Sequence, residues 1–312
     1  MKITVVDTVD FSLDQLDRLR ALGDIDFYDD VPSREELFKR LEHTDIAILG
    51  WSNMDKEAFK AAKNLRLLSL WSTGFDYVDI TAAKAKGVSV SNVPAYASET
   101  IAELTITLAV MVSRSIIAAH THVVNGGYNW KSFRGSQLYE KTLGIIGLGD
   151  IGAAVAKRAQ CFGMKVISYT ANPSNERSEE LGVEFVTKSE LFSRADVISL
   201  HCALNRETEK IVGANEFKTM KTSAFLVNTA RAELIDEEAL VGALRAREIA
   251  GAGLDVISED SRGKGSYLLT DDRIVLTPHF AFNTHEAIER KTEICLQNVI
   301  AFLEGKPTNL II

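Results

Sequence analysis

The sequence predicts an α/β chain folded as two doubly wound parallel-sheet domains. Three observations carry the expectation: short apolar runs alternate with helical patterns in two separate series, a G-x-G-x-x-G turn opens the second, and a long helical stretch joins them.

The first series supplies strand-like runs at ITVVD from Ile3, IDFYD from Ile25, IAILG from Ile46, LRLLSL from Leu65 and VSVSN from Val88, with helices beginning near Ser12, Ser33, Asp55 and Asp79. Strands alternating with helices call for a parallel sheet, because a parallel pair needs a crossover between its members. From Ala97 to Val124 the pattern is helical throughout, opened by Ser98 with Glu99 in the first turn, which reads as one capped connecting helix. The second series contains TLGIIG, KVISYT, VEFV, DVISLH, AFLVNT, AGAGLDV and RIVLTP, again separated by helices. A closing amphipathic helix, Thr284 to Glu304, ends at Gly305-Lys-Pro307 and is expected to return to the first domain. The expected domains are therefore 1–97 plus 285–312 and 98–284. The cleft between such domains is the default binding site.

The glycine turn has a specific physical reading. Gly147 permits the tight turn, Gly149 lets the backbone approach a pyrophosphate, and Gly152 lets helix and strand pack closely, with Asp150 and Ile151 between them at the start of a small-residue helix. The run Lys165 to Thr170 follows at the distance a βαβ unit requires, so the turn is a candidate dinucleotide cradle.

Composition narrows the function classes. The chain has 312 residues, 46% hydrophobic and 25% charged, with a formal charge of −8 and no run of basic residues, which argues against nucleic acid and anionic membranes as partners. Cys161, Cys202 and Cys295 are widely spaced and form no C-x-x-C, as expected of reduced thiols in a cytoplasmic protein; no zinc or other metal site is expected. The N-terminus, MKITVVDTVDF, reads as a first strand interrupted by Asp7 and Asp10.

Ordered motifs along the whole chain resemble one family, the NAD(P)-dependent D-isomer-specific 2-hydroxyacid dehydrogenases. They are GIIGLGDIG, NVPAYASETIAELT at Asn92 to Thr105, DVISLHCALNRET at Asp196 to Thr208, LVNTARAELID at Leu226 to Asp236, AGAGLDV at Ala250 to Val256 and TPHFAFNTHEA at Thr277 to Ala287. The resemblance implies a flavodoxin-like substrate domain built from both chain ends and a central Rossmann domain. It also implies hydride transfer between a nicotinamide and a small 2-keto or 2-hydroxy acid, with glyoxylate or hydroxypyruvate the first expectation.

Such a reaction needs a cation for the carboxylate and carbonyl oxygen and a proton donor for the developing alkoxide. Arg231 follows the run AFLVNTA, so its planar guanidinium should emerge at a strand's C-terminal edge, where it suits a carboxylate. His279 follows RIVLTP; imidazole titrates near neutrality, and the resemblance makes it the acid/base residue. The family carries a glutamate five residues after the Asp of its LDV segment, usually followed by proline. Here Asp260 stands at that position without the proline, leaving two readings: Asp260 serves with a shorter side chain, or Glu259 reaches the imidazole from a shifted loop. Asp260 is favoured.

The resemblance assigns Asp255 to the nicotinamide carboxamide. It places Thr73 and Gly74 in a segment whose backbone N–H groups hold the substrate carboxylate, a role suited to glycine's conformational freedom. Cys202, Ala203 and Thr208 belong to the loop lining the cofactor, and Thr229 and Ala230 pass beside the nicotinamide; His201 reads as structural. Thr170 ends the second strand where an NAD-preferring site usually has a carboxylate, and the following ANPSNER offers Asn172, Ser174, Asn175 and Arg177, so NADP(H) is favoured over NAD(H). Trp130 and Phe133 fall in a segment that forms a dimer arm in related reductases, and a homodimer is expected. Three departures mark a divergent branch: Ala232 and Glu140 where the family has glycine, and a rebuilt loop from Ser258 to Ser266. The alternatives are a nicotinamide-nucleotide sensor of the same fold and a dehydrogenase of a small inorganic or one-carbon anion.

Overall fold

In the computed structural model, which describes residues 1–312, the chain forms two units, Met1–Ala97 with Asn283–Ile312, and Ser98–Phe282. The first holds β1 (Lys2–Val5), α1 (Leu13–Arg20), β2 (Asp24–Phe27), α2 (Arg34–Leu41), β3 (Ile46–Leu49), α3 (Lys56–Ala61), β4 (Leu67–Leu70), α4 (Ile80–Lys86) and β5 (Ser89–Ser91). Its five strands are all parallel in the order β2-β1-β3-β4-β5. Ser12, Ser33, Asp55 and Asp79 are the N-caps, each side chain accepting the N–H three residues on, which explains why the helices start where they do. β3 and β4 are buried along their whole length, as a sheet covered on both faces requires. Residues 309–312 run antiparallel to the exposed side of β5, Ile311 donating to Val90 O at 2.8 Å, and so cover that edge.

The second unit holds α5 (Ser98–Ser113), α6 (Ile116–Val124), β6 (Thr142–Ile146), α7 (Asp150–Cys161), β7 (Lys165–Tyr169), α8 (Asn175–Leu181), β8 (Glu184–Phe185), α9 (Lys188–Arg194), β9 (Val197–Leu200), α10 (Ala214–Thr219), β10 (Phe225–Asn228), α11 (Glu237–Arg245), β11 (Gly251–Leu254) and β12 (Ile274–Leu276). Seven parallel strands take the order β12-β11-β10-β9-β6-β7-β8. The strand order reverses between β6 and β9, and a doubly wound sheet places its ligand at the carboxyl ends of the strands beside such a reversal. Separate apolar clusters fill the two faces, one around Phe192, Phe217 and Leu240, the other around Val155, Leu143 and Leu108. The closing helix, α12 (His285–Leu303), lies in the first unit and packs on β4 and α1.

Two expectations for the connecting segment need correction. It is not one helix: α5 and α6 meet at 63°, because Ser115 adopts a left-handed φ of 49° that no α-helix continues through. Nor does Ser98 cap it, since Ser98 already lies inside the helix and its buried hydroxyl has no partner. Glu140 shows why glycine suits its position: its φ is 61°, where a β-carbon is costly. No single helix is long and apolar enough to cross a membrane.

Candidate active site

The three glycines of the turn occupy three different environments. Gly147 has a φ of 91°, and a β-carbon there would lie 2.5 Å from Cys202 N, because the loops leaving β6 and β9 touch. At Gly152 a β-carbon would lie 2.3 Å from Gly147 O. At Gly149, φ −80°, nothing lies within 4 Å of that position, and this residue is the N-cap of α7 without a side-chain cap bond. The turn therefore presents open space to uncapped helix N–H groups, which fits a pyrophosphate.

Around this turn, Arg177 reaches back from the first turn of α8 and donates to Leu148 O and, at 2.7 Å, to Asn172 O. Its half-buried guanidinium is thus placed between the glycine turn and the loop that leaves β7, and Gly147 N donates to Tyr169 O at 2.9 Å. On the other side, Thr208 fastens the 203–208 loop by donating to Ala203 O (2.7 Å) and accepting from Asn205 N (2.8 Å). Burial pushes the Cys202 thiol up to about 11, so it stays protonated at neutral pH. His201 pairs with Ser199 Oγ at 2.7 Å, and burial pushes it down to about 3, which keeps it a neutral, structural group.

Arg231 leaves the end of β10 on a turn built by Asn228. The fully buried Asn228 amide donates to Arg231 O at 2.7 Å and accepts from Ala230 N at 2.9 Å, fixing the backbone from which the guanidinium projects. Thr229 is buried against α5, its hydroxyl 3.0 Å from that of Thr105.

Asp255 ties Arg231's strand to that of His279. Its N–H donates to Asn228 O (2.9 Å) and its carbonyl accepts the N–H of His279 (2.8 Å). Its buried carboxylate accepts from Thr277 Oγ1 (2.6 Å), Phe280 N (3.1 Å) and Ala281 N (2.9 Å). His279, exposed and 6.0 Å from the Phe282 ring, holds a φ of 54°, and three bonds to one carboxylate supply the scaffold for that rare conformation. Asp255, read from the motif as a cofactor contact, thus organises the histidine loop.

The rebuilt loop after β11 is held from below. Glu237, first residue of α11, accepts from Ser258 N (2.7 Å), Ser258 Oγ (2.6 Å) and Ser261 Oγ. Asp260 opens a short 3₁₀ turn, Asp260–Arg262, and its carboxylate is exposed with no hydrogen bond or ion pair; Glu259 is exposed with Arg262 4.0 Å away.

In the first unit, Ser72, Thr73 and Asn92 shape the loop after β4: Ser72 Oγ donates to Gly74 O (2.7 Å), Thr73 Oγ1 to Val93 O (2.5 Å) and Asn92 Nδ2 to Thr73 O (2.8 Å). Gly74 does not use a positive φ, so conformational freedom is not what that position draws from glycine. Beside it, Lys291 of α12 is buried with its ammonium 3.4 Å from the Trp71 ring centroid, 5.1 Å from Tyr96 and 5.7 Å from Trp51. Burial pushes its pKa down to about 7.

Asn228, Glu237 and Lys291 were missed from sequence. Only Asn228 carried a local signal, an asparagine two residues before the amide it caps at a strand end.

Residues 106–281 match the family model of the D-isomer specific 2-hydroxyacid dehydrogenase NAD binding domain. The chain is 38% identical to a glyoxylate reductase of Thermococcus litoralis over 289 residues, 90% of this chain and 87% of the relative. It is 35% identical to a hydroxypyruvate reductase of Blautia hydrogenotrophica over 100% of this chain and 99% of the relative. Among solved structures, an acyclic imino acid reductase in complex with NADPH and D-Arg superposes with a TM-score of 0.93 at 34% identity, covering 100% of both chains.

Proposed function

Since the chain belongs to the D-isomer-specific 2-hydroxyacid dehydrogenase family, and is thus an oxidoreductase acting on the CH–OH group of 2-hydroxy acids, we propose that it reduces glyoxylate, hydroxypyruvate or a similar small 2-keto acid, using NADP(H) in preference to NAD(H). The observation that supports this reading is the run of backbone bonds from Asn228 through Asp255 to His279, which links the ends of β10 and β12, the segments of the cation and the imidazole, across β11 between them. The bound nicotinamide supplies the hydride. Arg231 binds the carboxylate and polarises the carbonyl; His279 donates the proton to the oxygen as charge develops on it; Asp260, whose carboxylate is exposed and unbonded in this structure, is assigned as its carboxylate partner on the motif, to raise the imidazole pKa when the two meet. Thr73 and Gly74 keep the carboxylate role that the motif gives them. Asp255 is assigned to the carboxamide as well as to the histidine loop, and Cys202, Ala203, Thr208, Thr229 and Ala230 to the cofactor lining.

The cofactor preference is supported by the Arg177 guanidinium held on the loop after β7, a cation near a strand end where Thr170 stands in place of a carboxylate that would repel a 2′-phosphate, and by the NADPH named with the imino acid reductase structure. A homodimer is supported by α6, none of whose residues is buried, and by Tyr128 (96% exposed) and Trp130 (71%) on the segment after it.

The end-to-end match to an imino acid reductase favours a second reading, reduction of a 2-imino acid by the same residues. One assay separates the two: NADPH and NADH oxidation with glyoxylate, hydroxypyruvate, pyruvate and phenylpyruvate, each with and without ammonium or a primary amine, with Arg231→Ala as the blank. Turnover without amine that the blank lacks supports the keto-acid reading. Turnover only with amine replaces it by the second, and no turnover with any acid refutes both.

A further inference from the structure

We propose that Glu237 is a positioning residue for the acid/base pair: by clamping Ser258 and Ser261 it anchors the loop after β11 on both sides of Asp260, limiting the movement by which that carboxylate reaches the His279 imidazole. The proposal rests on the reading of Asp260 as that partner. Its own ground is separate. Three donors converge on one carboxylate, a backbone N–H and two hydroxyls from Ser258 and Ser261, and they bracket Glu259 and Asp260 on both sides. Ser261 stands where proline would stiffen the chain, and its hydroxyl is one of the three.

The loop has few other restraints. Ser261 N donates to Ser258 O at 3.2 Å, Arg262 N to Glu259 O at 3.1 Å, and Arg262 Nη2 to Ile257 O at 3.2 Å, all bonds within the loop itself. Glu237 supplies a tie to an element outside it, and charge-assisted bonds of this kind are worth about twice a neutral one. Because Glu237 opens the helix that follows Arg231's strand, the clamp joins the Arg231 segment to the Asp260 segment, as Asp255 joins it to the His279 segment. The charged groups on the clamp and loop are Glu237, Glu259, Asp260, Arg262 and Lys264; Arg262 lies 4.0 Å from Glu259 and offers that acid, not Asp260, a partner.

The test compares kcat/KM for glyoxylate against pH in wild type, Asp260→Ala, Glu237→Ala, the Ser258→Ala/Ser261→Ala pair and the combined Glu237→Ala/Asp260→Ala variant. A carboxylate beside imidazole raises its pKa, so losing it moves the alkaline limb to lower pH. Each move of one pH unit is about a tenfold loss above the limb. Glu237→Ala and the serine pair are expected to move the limb in the same direction as Asp260→Ala, and the combined variant no further than Asp260→Ala alone. Glu237→Asp is expected to recover part of the shift. If Asp260→Ala moves the limb while Glu237→Ala and the folded serine pair leave it in place, the clamp is merely structural and the proposal fails alone. If Asp260→Ala leaves the limb in place, the pairing of Asp260 with His279 fails and takes the proposal with it. Should Glu237→Ala not fold, the serine pair, which removes the two hydroxyl bonds and leaves only the Ser258 N–H, decides.

Discussion

Alanine at Gly149 and at Gly152 should separate binding from folding within a single turn of chain. The β-carbon at position 149 meets nothing within 4 Å, and its φ of −80° is open to any residue. Replacing glycine at such a site gains about 0.4–1 kcal/mol through the unfolded chain, which roughly offsets alanine's poorer fit than glycine at an N-cap. At position 152 the β-carbon lies 2.3 Å from Gly147 O and 3.3 Å from Ile145 Cγ2. The first of these is backbone in a turn already committed to a positive φ, so it cannot rotate aside, and overpacking of this kind costs about 1–3 kcal/mol. Alanine's advantage inside a helix, up to about 1 kcal/mol, does not offset it. Urea unfolding followed by circular dichroism is therefore expected to put Gly149→Ala close to the wild-type midpoint and Gly152→Ala below it. Titration with NADPH should show the opposite weighting for Gly149→Ala: at least a tenfold weaker Kd, since the methyl occupies the space left for the pyrophosphate. A Gly149→Ala protein that binds nucleotide like wild type would refute the assignment of the phosphate to this face. Wild-type stability in Gly152→Ala would refute the packing argument.

Three further outcomes follow from individual groups. Asp255→Asn removes an acceptor from buried donors that include Ala281 N, so it should cost about 1–3 kcal/mol in urea unfolding and lower kcat; unchanged stability would mean the loop does not depend on that carboxylate. Lys291, pushed down to about 7 by burial, binds a proton less readily folded than unfolded, where its pKa is the ordinary 10.5. The cost of the buried charge is then fully present below about pH 7 and is relieved as pH rises towards 10.5, so wild-type stability relative to Lys291→Met should climb across that window, and a flat difference would show that the ammonium is not penalised. Arg177→Ala should raise KM for NADPH by more than KM for NADH; equal changes would remove Arg177 from 2′-phosphate recognition.

The sheets were legible because strands buried on both faces are written as continuous apolar runs such as Ile46–Leu49, and the helix starts because Ser12, Ser33, Asp55 and Asp79 cap them locally. Arg231 and His279 could be placed at strand ends from their position after apolar runs. What was hidden depends on contacts distant in sequence. Asp255 meets residues 277 to 281, and Glu237 meets 258 and 261, only because β10, β11 and β12 lie side by side in register. The bend at Ser115 was hidden for a different reason: a serine in the left-handed region leaves no mark in a helical pattern. The direction of Arg177 was undecidable from spacing, and its bonds to the glycine turn fix it.

The role proposed for His279 is to deliver a proton as a 2-keto acid is reduced. A single-turnover experiment tests it most directly: enzyme in excess over NADPH, mixed with glyoxylate, with nicotinamide absorbance followed in wild type and in His279→Asn and the 2-hydroxy acid quantified at the end. One equivalent of hydroxy acid per NADPH oxidised is expected in wild type, with a His279→Asn protein that binds NADPH equally well but oxidises it at least a hundredfold more slowly, the scale of general acid catalysis being about 10²–10⁴. Equal rates in the two proteins would contradict it.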